Sequence, residues 1–113
     1  MADPQVVEEL ERLLAMQWTD VLAELGASGT DAFPGAAIEK GLRLFTNVQT
    51  ALRAKVCGDQ GLRNLVEQRS NELTIAGAVY DLIAGTTGHL PGASVAVLIV
   101  QHGLADYCSA VWS

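Results

Sequence analysis

Residues 93–100 read Ala-Ser-Val-Ala-Val-Leu-Ile-Val, the most apolar stretch of the chain, closed by Gln101 and His102. Its β-branched members suit a strand, but no other segment offers a partner, and a lone strand leaves its backbone amides and carbonyls unpaired. We therefore read it as part of a helix over residues 93–112, and the chain as all-α. A run of eight residues is also far short of the roughly 20 needed to cross a bilayer, so it belongs inside a protein core.

Working outward, three earlier segments carry helical periodicity. Asp3 and Pro4 form a helix start, and Val7, Leu10, Leu14, Trp18, Val21 and Leu25 recur at three- and four-residue spacing before Gly26, which predicts a helix over 4–25. Gly26 to Phe33 reads as a loop. Ile38, Leu42, Phe45, Val48, Leu52 and Val56 make the stripe of a second helix over 36–57, with Gly58 as its stop. Asp59 caps a third over 60–84, whose stripe is Leu62, Val66, Arg69, Leu73, Ala76, Tyr80 and Ile83. Residues 86–92 hold Gly88, Pro91 and Gly92 and read as a second loop. Long helices with short joins favour an up-down bundle of about four helices, forming a single domain over residues 1–113.

Composition narrows the function classes. Half of the 113 residues are hydrophobic and 18% are charged, which suits a packed domain and not a disordered tail. The net charge of −6 opposes binding to nucleic-acid phosphates and to anionic membranes. Acids near the start, where a secretory leader needs bases, point to the cytoplasm. Two cysteines are too few for a disulfide framework and lack the spacing of a zinc site. In an up-down bundle Cys57 and Cys108 stand on diagonal helices, too far apart to bridge.

The helix faces supply the candidate sites. A helix apolar on every side must be covered all round, either at the centre of the domain or by a second copy. We take the second as the lead, a homodimer with Val95, Val97, Ile99 and Trp112 in its interface. The first helix is acidic and the second basic, so Glu8 and Glu11, with Glu9, Asp20 and Glu24, form either a face balanced by its neighbour or an acidic docking surface for another protein. The small residues Ala76, Gly77, Ala78, Ala84, Gly85, Gly103 and Ala105 suggest close backbone packing. Trp18 falls on the core stripe.

No catalytic motif is present. His102, Asp106 and Ser109 share one helical face but lack a nucleophile elbow and oxyanion donors, so they read as a solvated surface. Neither histidine follows a glutamate at the spacing of a carboxylate metal bundle, and no phosphate loop occurs. Arg69 on a core stripe is the anomaly, and needs a carboxylate partner or a route to water. The leading expectation is a non-enzymatic interaction or assembly module without a cofactor, self-associating through its apolar C-terminal helix. The alternative is a ligand-binding bundle or small enzyme with Arg69, Tyr80 and Gln101 around an internal pocket. A third, an acidic decoy for a nucleic-acid-binding protein, requires a contiguous carboxylate surface.

Overall fold

The apolar run is helical, and its own chain covers it. The structure, a computed structural model, describes residues 4–26, 34–87 and 90–109, with only the backbone for 34–36 and for Ala105. The described residues form short turns and seven helical elements: α1 (Pro4–Leu14), α2 (Trp18–Gly26), α3 (Pro34–Cys57), α4 (Gln60–Glu67), α5 (Glu72–Ile83), α6 (Gly92–His102) and the single turn α7 (Leu104–Tyr107). The all-α class holds, but three of the four expected helices are each broken in two. The expected loop over 26–33 lies almost wholly outside the described residues, as do Gly88 and His89 of the second.

Helix α6 is the axis of the fold. Val95, Ala96, Val97, Leu98 and Ile99 have no exposed surface, and α1, α2 and α5 pack around them. Burial of each large side chain is worth about 1.5–3 kcal/mol, so this one stretch is a major source of stability. It also corrects the expected dimer interface: Val95, Val97 and Ile99 have nothing left to offer a second copy, and Trp112 lies outside the described residues.

The first break falls at Ala15-Met16-Gln17, where no glycine or proline demands it. A straight helix over 4–25 would run about 33 Å, whereas two shorter ones can both wrap onto α6. The cost of breaking is met locally. Gln17 O accepts from both Asp20 N and Val21 N and so starts α2, while Gln101 Nε2 of α6 donates to Met16 O at 2.8 Å. Arg12 spans the break, with Nε donating to Glu9 at 3.2 Å and a terminal nitrogen donating to Glu24 of α2 at 3.2 Å. Those bonds raise the Arg12 pKa, and the guanidinium holds the Glu9 carboxyl below its usual range.

Helix α3 is the longest element and packs most extensively on α2, antiparallel to it. Their backbones touch. A Cβ added to Gly41 would lie 1.9 Å from Leu22 O, and one added to Gly26 would lie 1.8 Å from Ala37 O. Only glycine permits that approach. Facing α2 with Ala37 and Gly41 rotates the stripe, which leaves Leu42, expected in the core, 44% exposed. Phe45, Leu52 and Val56 are buried as expected, and Trp18 is half-buried against the same core.

The second break replaces the expected continuous helix over 60–84. Asp59 caps α4 by accepting from Leu62 N, and Asn71 caps α5 by accepting from Thr74 N, both at 2.8 Å. Between them Arg69 takes φ 57, a left-handed conformation rare outside glycine. The third break is Gly103, whose φ of 98 ends α6 and turns the chain into α7.

That turn overturns the reading of the cysteines. Had the last helix run straight to residue 112, Cys108 would have stayed diagonal to Cys57. Gly103 instead brings α7 back to the end of α3, where Cys57 and Cys108 form a disulfide with a Cα separation of 5.4 Å. Arg53, one turn before Cys57, sets its guanidinium 5.0 Å from the centre of the Tyr107 ring, next to Cys108. Burial pushes the Tyr107 hydroxyl up to about 12, with the Arg53 charge acting the other way.

Candidate functional site

Helix α5 faces α6 with Ala76, Val79 and Ile83, all fully buried. Its opposite face carries Thr74, Gly77, Ala78 and Asp81, and is partly open. Two recesses lie along it. One of about 490 Å³ is bounded by Asp59, Leu62 and Leu65 of the α4 side and by Ala78, Asp81 and Leu82 of α5. The other, of about 390 Å³, is bounded by Val7 of α1, Leu65 of α4, and Leu73, Thr74, Gly77 and Ala78 of α5. Leu65, Ala78 and Asp81 belong to both, so the two form one trough.

The floor is low because its residues are small. A Cβ added to Gly77 would meet nothing within 4 Å, and the same holds for Gly85. Their smallness serves no packing within the described chain, unlike that of Gly26 and Gly41. The close packing expected at Gly77 and Gly85 is not found; it occurs instead between α2 and α3, at Gly26 and Gly41, which the expectation did not include.

The electrostatics of the trough are one-sided. Asp59 and Asp81 line it, Asp81 is exposed, and among the described residues no ion pair engages Asp81. Glu8 and Glu11 of α1 are exposed near Val7, the α1 wall of the trough. Nor does α3 neutralise them: among the described residues the ion pairs join Arg12 to Glu9 and Glu24, and Arg63 to Glu67. The acidic α2 does lie against the basic α3, but among the described residues no ion pair joins α1 or α2 to α3.

The residues proposed around an internal pocket do not converge. Arg69 is exposed at the turn between α4 and α5. Tyr80 packs its ring near Gly92 at the start of α6, beside a recess of about 290 Å³ that also takes in Glu9 and Ser94. Gln101 sits at the other end of α6, about 13 Å away along the axis, and is spent on Met16 O. The core-facing arginine is corrected by the break itself, which removes Arg69 from the stripe. His102, Asp106 and Ser109 are exposed, and Gly103 interrupts the helical face they were to share. The His102 ring meets Tyr107 edge-on instead, with centres 5.9 Å apart. Among the described residues no three His, Cys, Asp or Glu side chains gather as a metal set, and no helix is long and apolar enough to cross a membrane.

The open face of α5 was within reach of the sequence only in part. Gly77 and Ala78 stood out as small, but their position opposite Val79 and Ile83 follows from where α5 begins, and that depends on the Asn71 cap. Asn71 before Glu72 is a helix-start signal, and weighing it would have placed the break. Comparison with protein families, curated proteins and solved structures finds no match to this chain.

Proposed function

We propose that the domain is a non-enzymatic interaction module that receives a helix of another protein in the trough over α5. One observation carries this reading: the chain covers every side of its most apolar helix, α6, yet leaves an apolar trough with a floor of Gly77 and Ala78 open on α5. A groove walled by Leu62, Leu65 and Val7 suits an amphipathic helix whose anchors recur at i, i+3, i+4 and i+7. The polar groups offered for chemistry argue the same way, since Arg69, Tyr80 and Gln101 stand at separate places and Gln101 already has a structural task. Self-association through α6 is given up in favour of this face.

The Cys57–Cys108 bridge supports an oxidising compartment in place of the cytoplasm, because such bonds persist where thiols are not kept reduced. The test of the docking reading is shift mapping by NMR with three helical peptides, one apolar and basic, one apolar and acidic, and one wholly polar. At least one apolar peptide is expected to move the amide signals of Leu65, Gly77 and Ala78. If none does, the trough is not a docking site.

A further inference from the structure

Resting on that docking reading, we propose that the partner helix is basic: an amphipathic segment whose apolar side fills the trough over α5 and whose lysines or arginines meet Asp81, Asp59 and the exposed acids of α1. The trough has an apolar interior and carboxylates at its margins. Asp81 belongs to both recesses, is exposed, and is engaged by no ion pair among the described residues. Asp59 bounds the same trough, its Oδ2 accepting from Leu62 N. Neither Arg63 of α4, which pairs with Glu67, nor Arg69 of the turn that follows lines either recess.

This charge pattern also selects against a second copy. A symmetric contact through this face would bring each Asp81 and Asp59 toward a face bearing the same carboxylates, on a chain of net charge −6. A basic helix instead releases that repulsion, and its attraction to the trough speeds encounter at low salt. The glycine at position 77 sets the depth. With nothing above its Cβ position, a partner backbone or a bulky anchor can sit directly on α5.

The experiment titrates the intact, disulfide-bonded protein against two labelled helical peptides with the same leucine anchors, one flanked by lysines and one by glutamates. It is repeated with Gly77→Leu, which projects into the floor from a Cβ that meets no atom of the chain within 4 Å, and with Asp81→Lys. We expect the lysine peptide to bind at least about tenfold more tightly than the glutamate peptide at low salt. Gly77→Leu should abolish that binding while circular dichroism and melting temperature stay at or above the parent's. Asp81→Lys should weaken the lysine peptide and favour the glutamate one. Equal binding of both peptides, lost in Gly77→Leu, overturns the basic partner and leaves the docking reading standing. No binding of either peptide, or binding indifferent to Gly77→Leu, removes both. A dimer by light scattering that Gly77→Leu dissolves would make a second copy the occupant and overturn the basic helix.

Discussion

Two glycines in helix interiors, Gly41 and Gly77, should respond to the same substitution with opposite signs. In an exposed helix Gly→Ala gains about 1 kcal/mol, because alanine restricts the unfolded chain and favours helical dihedrals. At Gly77 nothing opposes that gain, since the new Cβ meets no atom within 4 Å. At Gly41 the new Cβ would sit 1.9 Å from Leu22 O, where ordinary contact begins at 3.4 Å, so it is about 1.5 Å short of room. The obstacle is backbone and cannot swing aside. Helices α2 and α3 must part, at the roughly 3 kcal/mol of a severe overpacking, which leaves a net loss of about 2 kcal/mol after the propensity gain. With an unfolding entropy near 2.1 cal/mol/K per residue, each kcal/mol moves the melting temperature of a chain this size by about 4 °C. Thermal melts followed by circular dichroism should then place Gly77→Ala about 4 °C above the parent and Gly41→Ala about 8 °C below it. Shifts of the same sign, or a neutral Gly41→Ala, would refute the backbone contact between α2 and α3.

Four further outcomes follow from the packing. Replacing Cys57 and Cys108 together by alanine frees a loop of 51 residues in the unfolded chain, worth about 4 kcal/mol in the loop-entropy account, so the melting temperature should fall by roughly 15 °C and thiol titration of the parent should find no free thiol before reduction. Gln101→Leu leaves Met16 O without its side-chain donor and should cost about 1 kcal/mol, with faster amide exchange concentrated around residues 15–21. Val97→Asp buries an unpaired charge at a site with no exposed surface and should abolish the cooperative melt; a folded protein of unchanged size would refute the central placement of α6. Because the Tyr107 pKa is raised in the folded state, the stability it contributes is present below pH 10 and is lost as pH rises from there to about 12; ultraviolet titration of the folded protein should find a tyrosine that ionises at about 12.

The all-α class and the need to cover residues 93–100 on every side were legible in the sequence alone, although a second copy was the expected cover and the chain itself provides it. Both rest on quantities that local sequence carries: apolar spacing, the caps at Pro4 and Asp59, and the lack of any partner for a strand. The starts and stops at Pro34, Cys57 and Gln60 follow from the same signals within a residue or two. What the tertiary structure decided is where the helices break and what the breaks bring together. Ala15-Met16-Gln17 contains good helix formers, and only the demand that α1 and α2 both cover α6 bends the chain there, with Gln101 arriving from far along the sequence to satisfy the carbonyl. Gly103 was visible as a glycine, but its φ of 98 and the return of Cys108 to Cys57 depend on where α3 ends in space. The two glycine sites make the same point at the level of single atoms. Gly41 and Gly77 are identical in sequence terms, each a helical glycine near alanines, and only the packed neighbours distinguish a required contact from an open floor. Periodicity records which face of a helix seeks cover, whereas the identity of the cover is a long-range property set by how all the helices share one core.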